Sequence, residues 1–311
     1  MTLLHVLDFQ LQSQARRTGR TGFTLHVLHI ELPHDGDRKM VVKLYEDIKA
    51  RYPGHSYSSI RLFDDLNQPS NGTTTKMSNG PDIQEEATSN GGHKSYAKLL
   101  SSLPSVTSRT DVLHILRMRR TVDFACSNNC EGILWGDSTT RLAEKVLAET
   151  AKGRGFSLPW QIADGDSPFG VPFYYPMRDL LKKELVSYTS MITPPVDVLV
   201  ALDSTTNVAA PVASKDGSID FLMKQYFESV EEQYPSIVAN VVRTTGKLEM
   251  KDFSSGRQCA LCNMLLANNP TFVNGNSGHD SVTDGPTLEL CYGCATAVPP
   301  ESRHLIPPGL K

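Results

Sequence analysis

No stretch of this chain runs uninterrupted through the roughly twenty apolar residues that a bilayer-spanning helix needs, so a transmembrane role is excluded. The first residues, MTLLHVLDFQLQSQARR, mix apolar and polar side chains at helical spacing. They lack the long apolar core and small-residue cleavage site of a secretory signal, and no export is implied. An excess of either charge is also missing, since 31 Lys and Arg stand against 34 Asp and Glu, for a formal net charge of −3 and a pI near 6.3. That balance excludes a generally basic coat that binds nucleic acid through overall charge, and any RNA contact must come from a local patch. What is present suffices for one large domain and a small appendage: 311 residues, 39% of them hydrophobic.

Cysteines are few but ordered. Four of the six form two Cys-x-x-Cys pairs, Cys259 with Cys262 and Cys291 with Cys294, separated by the twenty-eight residues 263–290. Tetrahedral zinc needs two short chelating turns that converge, and two such knuckles joined by a loop supply four thiolates in that arrangement. Two disulfides and an iron–sulfur centre are the rival readings; a chain without an export signal favours metal over disulfide. His279 in the intervening loop is expected at the surface, because four thiolates already complete the shell. Cys126 and Cys130, in FACSNNCEGILW, lie between a helix end and a strand. They read as small packed apolar residues before they read as replacement redox or metal cysteines.

Along the chain the periodicity alternates between helix and strand. Residues 1–20 form an amphipathic helix with Leu4, Leu7 and Leu11 on one face, and FTLHVLHIE from Phe23 to Glu31 has strand character. A helix from Asp37 to Arg51 and a strand in HSYSSIRLFD follow, and this β–α–β rhythm predicts a mostly parallel sheet with crossover helices. Residues 67–92 hold almost no apolar side chains and predict a disordered insertion. Helical periodicity returns over Asp111 to Phe124, then the strand GILWGDS, the helix TTRLAEKVLAETAKGRG, the extended VPFYYPM and the helix RDLLKKELVSYTS. The alternation on both sides of the insertion predicts one sheet. ALDSTTNVAAPVASKDG reads as a loop, and IDFLMKQYFESVEEQYP as a helix ahead of SIVANVVRTTGKL. The domain expectation is therefore an α/β domain over 1–253, a four-cysteine zinc module over 254–299 and a Pro-rich tail over 300–311.

Gly136-Asp137-Ser138 sits at a strand end and opens a helix that closes with Gly153-Arg154-Gly155. Such a turn presents backbone N–H groups to an anion and suits a phosphate or an adenylate. Taken alone it reads first as an ordinary βα turn capped by Ser138 or Thr139, since such turns are common in α/β folds.

The runs CEGILWGDSTTRLAEKVLAETAKGRGFSLPW, VPFYYPMRDLLKKELVSY, FLMKQYFESVEEQYP and VVRTTGKL, in this order, resemble the family of second subunits of the eukaryotic cytoplasmic tRNA 2-thiolation complex. That family is part of the PP-loop ATP-pyrophosphatase superfamily. The resemblance implies a sheet of the adenine-nucleotide α-hydrolase type and a cytoplasmic heterodimer with a homologous catalytic thiolase subunit. It further implies tRNA as the substrate, ATP activation of the wobble uridine, and sulfur from a thiocarboxylated ubiquitin-related modifier.

Two departures qualify what is carried over. The Ser-Gly-Gly-x-x-Ser loop that cradles pyrophosphate in active members, with its strand, has no counterpart ahead of TLLHVLDF, as a truncated gene start would leave it. ATP binding in this chain is thereby in question, and Gly136, Asp137 and Ser138 remain as a degenerate nucleotide-binding candidate. The sulfur-handling Cys-x-x-Cys of catalytic thiolases falls near Thr110-Asp111-Val112-Leu113, where there is no thiol. Basic residues at Arg117, Arg119 and Arg120, and at Lys152 and Arg154, are solvated helix faces on the plainest reading. The resemblance makes them candidates for the tRNA backbone. A supporting subunit of a thiolation heterodimer is the leading expectation. The alternatives are a zinc-ribbon protein adaptor on a degenerate PP-loop scaffold and, with a longer N-terminus, an active PP-loop adenylating sulfurtransferase.

Overall fold

The structure, a computed structural model, describes residues 1–32, 38–62, 98–199, 217–248, 256–266 and 288–306. The predicted insertion at 67–92, the loop of residues 201–216 and His279 lie outside them.

Helix α1 spans Thr2–Thr18 and ends where Gly19 turns left-handed, at φ 73°, and returns its N–H to the Ala15 carbonyl. A residue with a Cβ is strained in that conformation, which is why the helix stops at a glycine. Strand β1 (His26–Glu31) pairs in parallel with β2 (Ser56–Arg61), from His26 opposite Ser56 to Glu31 opposite Arg61, and helix α2 (Arg38–Arg51) makes the crossover. Across this unit His5 Nδ1 lies 3.0 Å from the Tyr52 hydroxyl and His55 Nε2 lies 3.0 Å from Asp8, which fastens α1 beside β2.

Helix α3 covers Val106–Ser127, capped by the Ser105 hydroxyl on the Ser108 N–H. Strand β3 (Ile133–Leu134) runs parallel to β4 (Phe173–Tyr174). Between them come α4 (Thr139–Ala151) and the short α5 (Leu158–Ile162); after them come α6 (Lys182–Met191), α7 (Ile219–Gln233) and α8 (Pro235–Thr245). All strand pairing in these ladders is parallel, as the β–α–β rhythm predicted. The expectation of one sheet is corrected, because the described residues hold two separate two-stranded pairs. GILWGDS contributes only two ladder residues: Gly132 is pressed against the Tyr174 ring, and the chain turns at Gly136 into α4.

Among the described residues, two apolar clusters form the core. One gathers Val122 and Ala125 of α3, Ile133, Leu142, Ala143 and Val146 of α4, Phe173, and the inner faces of α7 and α8 at Phe227, Val238 and Val242. The other gathers Leu99, Leu103, Val112, Ile115, Leu116 and Trp160 around all four cysteines of the C-terminal pairs. Helix α3 contributes to both, so the cysteine segment is part of the domain interior. The Pro-rich tail begins with a 3₁₀ turn over Pro300–Leu305, and Leu305 and Ile306 pack against the same cluster. Among the described residues, no helix is long and apolar enough to cross a membrane.

Leu142 has no exposed surface and sits where α4 meets α7 and α8. Leu142→Ala leaves a cavity there and is expected to lower unfolding free energy by about 2 to 5 kcal/mol. Urea titration of the full chain, read by far-UV ellipticity, measures the loss.

Candidate metal centre

The first knuckle is built by a reversal of the backbone. Cys259 N–H donates to the Met264 carbonyl at 2.9 Å, Asn263 N–H donates to the Cys259 carbonyl at 2.8 Å, and Gln258 bridges Leu265 in antiparallel fashion. Asn263 takes φ 56°, a left-handed conformation that asparagine accepts more readily than most residues. The second knuckle is a helix start: Cys291 precedes and Cys294 lies within α9 (Tyr292–Ala297). Ala260 N–H donates to the Glu289 carbonyl at 2.8 Å, and Cys291 N–H reaches the Cys259 sulfur at 3.3 Å, so the knuckles are tied together by backbone donors.

The four Sγ atoms lie within 4.8 Å of one another, and all four residues are buried. Cys262 and Cys291 have their sulfurs 3.8 Å apart. A disulfide would hold them at about 2.05 Å, so the cysteines are free and the disulfide reading fails. Hydrogen bonds from Cys262, Cys291 and Cys294 hold the Cys259 thiol well below its ordinary pKa, while Cys259 and its neighbours push Cys262 and Cys294 up. Four soft donors crowded into an apolar pocket are chemically suited to one thiophilic cation.

The centre rests on α3 and α4 through charged side chains. Arg119, buried on α3, donates from Nη1 to the Leu261 carbonyl at 3.0 Å. The turn that closes α4, Lys152-Gly153-Arg154, supplies two buried cations. Lys152 Nζ lies 3.0 Å from Asp111, 2.7 Å from Glu149 and 3.0 Å from Asp220. Arg154 pairs with Asp111 through Nη2 and with Glu149 through Nε, the latter at 2.7 Å. The second knuckle fits this turn so closely that a Cβ on Gly153 would stand 2.4 Å from the Tyr292 ring and one on Gly293 2.6 Å from the Lys152 carbonyl oxygen.

Comparison with known proteins then places the chain. A family profile described as Cytoplasmic tRNA 2-thiolation protein 2 matches residues 218–283. Proteins of that name from Phaeosphaeria nodorum and Pyrenophora tritici-repentis are each 44% identical over 305 residues, covering 96% of this chain and 78% and 79% of theirs. The chain belongs to the cytoplasmic tRNA 2-thiolation protein 2 family. The Sclerotinia sclerotiorum member is 46% identical over 241 residues, 77% of this chain and 63% of its own. Among solved structures, the U34-tRNA thiolase NcsA from Methanococcus maripaludis, determined with its 4Fe–4S cluster, is similar over 84% of this chain and 77% of its own at 13% identity and TM-score 0.49.

In this member of the tRNA 2-thiolation protein 2 family, the basic residues separate by burial. Arg119, Lys152 and Arg154 are turned into the protein, each paired there, and this corrects the expectation that they face a tRNA backbone. Arg120 is largely covered, with Asp123 at 3.7 Å and the Arg61 carbonyl at 3.4 Å, and Arg117 is exposed. At the degenerate nucleotide candidate, the Ser138 hydroxyl caps α4 by accepting from Arg141 N–H at 3.2 Å, and Thr139 N–H donates to the Leu180 carbonyl at 2.8 Å. Two of the donors an anion would need are thus used within the fold. Gly136 has no Cβ contact closer than 3.9 Å, to Leu3, and Asp137 lies 3.9 Å from Lys145. Cys126 is exposed and Cys130 half-buried beside the α7–α8 core. Asp111, Glu149 and Asp220 were not singled out in the sequence; the i,i+3 spacing of Glu149 and Lys152 was the one available signal for them.

Glu149 gives this cluster a pH signature. Burial pushes its carboxyl up, but Arg154 and Lys152 outweigh burial and bring it down to about 2. A carboxyl held below its ordinary value of 4.5 stabilises the fold fully above that pH, and the contribution is lost as pH falls toward about 2. Melting temperature is expected to fall across that interval. In Glu149→Gln it should start lower and vary less over the same interval, as thermal melts of both proteins in matched buffers will measure.

Proposed function

We propose that the chain is a supporting subunit of a cytoplasmic heterodimer that 2-thiolates the wobble uridine of cytosolic tRNAs. Its partner is a homologous catalytic thiolase subunit, and sulfur arrives indirectly from a thiocarboxylated ubiquitin-related modifier. Family membership over 96% of the chain carries this reading. The supporting role follows from the chemistry of the interior. Where a catalytic thiolase would hold its sulfur-handling pair, this chain has Thr110-Asp111-Val112-Leu113 on α3, with Asp111 and Val112 buried in structural contacts. A thiolate or cluster is needed to deliver sulfur, and none is available at that place. Of the candidates Arg117, Arg119 and Arg120, Arg117 is the exposed one that remains available for phosphate contact.

We assign zinc to the four-cysteine centre. Bonds of ~2.3 Å to four sulfurs make a tetrahedron with edges of ~3.8 Å. The separation of Cys262 and Cys291 equals that edge. An iron–sulfur cluster interposes several atoms between its cysteines and would spread them further apart. Zinc held by Cys259, Cys262, Cys291 and Cys294 would join the two knuckles and complete the second core.

Two measurements test the reading. Metal analysis of reduced, freshly purified protein should return close to one zinc per chain, and absence of zinc would refute the assignment. For the function, each subunit is assayed alone and then together, with ATP, a sulfur donor and unmodified tRNA, and wobble 2-thiouridine is quantified. Product is expected only from the pair. Robust product from this chain alone would overturn the supporting role, and full activity of the partner without it would make this chain dispensable.

A further inference from the structure

The buried arginine beside the second knuckle has a hydrogen-bonding edge that the ion pairs do not use. Arg154 is 2% exposed; its Nη2 and Nε are committed to Asp111 and Glu149, while Nη1 is sealed from solvent and has no hydrogen-bond partner among the described residues. That edge lies against the α9 backbone at Gly293, the residue before Cys294. A Cβ built on Gly293 would lie 3.0 Å from Nη1 and 2.7 Å from Cγ, so the guanidinium passes directly beneath the backbone that leads into Cys294. Burial opposes the charge on Arg154, and Glu149 and Asp111 sustain it.

Electrostatics gives this placement a purpose. Four thiolates around one divalent ion carry a net charge of about −2, and an apolar enclosure makes such a charge expensive unless a cation lies close. Here the enclosure is apolar: Leu99, Leu103, Val112, Trp160 and Val298 surround the cysteines. Two guanidinium groups reach the centre through it, Arg119 at the Leu261 carbonyl of the first knuckle and Arg154 under Gly293 of the second. Asp111 and Glu149 orient Arg154 by fixing its other two nitrogens, which leaves the Nη1 edge under Gly293, next to Cys294.

We propose that Arg154 is the interior counter-cation of the four-cysteine centre, a positioning residue that slows metal loss and damps the reactivity of the thiolates by placing its charge beside Cys294. This rests on the reading of the centre as a zinc site. It predicts that charge at residue 154, over and above its packing, sets how tightly the metal is held.

The test uses the full chain loaded with zinc and, in parallel, with cobalt(II), in wild type, Arg154→Gln and Arg154→Lys. Zinc transfer to the chromogenic chelator 4-(2-pyridylazo)resorcinol is followed with time. The thiolate-to-cobalt charge-transfer band reports the energy of the sulfur electrons. Arg154→Gln should release zinc about 10- to 100-fold faster, the range found when groups around metal ligands are removed. Its charge-transfer band should move to lower energy, because thiolates without a nearby cation give up electrons more readily. Arg154→Lys retains the charge, without the fork, and should stay within about threefold of wild type with its band in place. Wild type that carries no metal would refute the zinc assignment itself. Wild type that holds zinc while Arg154→Gln holds it equally long, with an unshifted band, would overturn this inference alone. Should Arg154→Gln not fold, Arg154→Lys decides: release more than about tenfold faster than wild type would show that guanidinium packing, and not charge, is what matters.

Discussion

A buried guanidinium is stable only where anions lie against it, and much of this molecule is arranged around that requirement at Arg154, two of whose nitrogens are ion-paired. Asp111 comes from α3, Glu149 from the last turns of α4, and the α9 backbone closes the remaining side. Removing a single partner from such a set would strand a charge in the interior, a cost far larger than any surface ion pair contributes. The arrangement therefore permits one relative placement of three segments distant in sequence. The contact of Gly153 with Tyr292 and of Gly293 with Lys152 follows from the same docking, since any side chain at either glycine would hold the two turns apart.

The consequence for the architecture is that the four-cysteine segment is an interior element of the domain. The sequence reading separated an α/β domain from a zinc module at residue 254, on a change in composition and the onset of the cysteine pairs. In the structure the cysteines share a cluster with Leu62, Leu99, Val112, Ile115, Leu116 and Trp160. A metal bound there would stabilise α3 as directly as it stabilises the knuckles, because the metal-binding free energy is coupled to every contact that requires the folded site. Family membership and site geometry are consistent at this level: the match that defines the family covers 96% of the chain and so extends over both segments.

Much of this was legible in the residues. The 3.6-residue periodicity of LAEKVLAETA marked α4, Ser138 or Thr139 announced its start, and the spacing of the two Cys-x-x-Cys pairs singled out the four cysteines that the fold brings together. What sequence could not show was direction. Arg119, Lys152 and Arg154 read as solvent-facing because arginine and lysine are rarely buried, and the anions that make their burial possible are remote: Asp111 is 43 residues from Arg154, and Asp220 is 68 from Lys152. The single predicted sheet failed for a related reason. Alternation of strand and helix fixes the order of elements, but the width of a ladder depends on neighbours such as the Tyr174 ring against Gly132, which no local pattern encodes.

The hydrogen bond from Arg119 to the Leu261 carbonyl joins residues 142 positions apart. On a ribosome, which extends a chain at roughly 5–20 residues per second, α3 would wait about 7–28 s between its own synthesis and the arrival of that partner. Throughout this interval one face of the nascent helix, with Val112, Ile115 and Leu116, lacks the C-terminal part of its covering. Completion of the second core is thus a late event in biogenesis. A chain that terminates early forfeits that core together with the four clustered cysteines, and until they arrive the apolar face of α3 is a surface on which a chaperone or a protease can act.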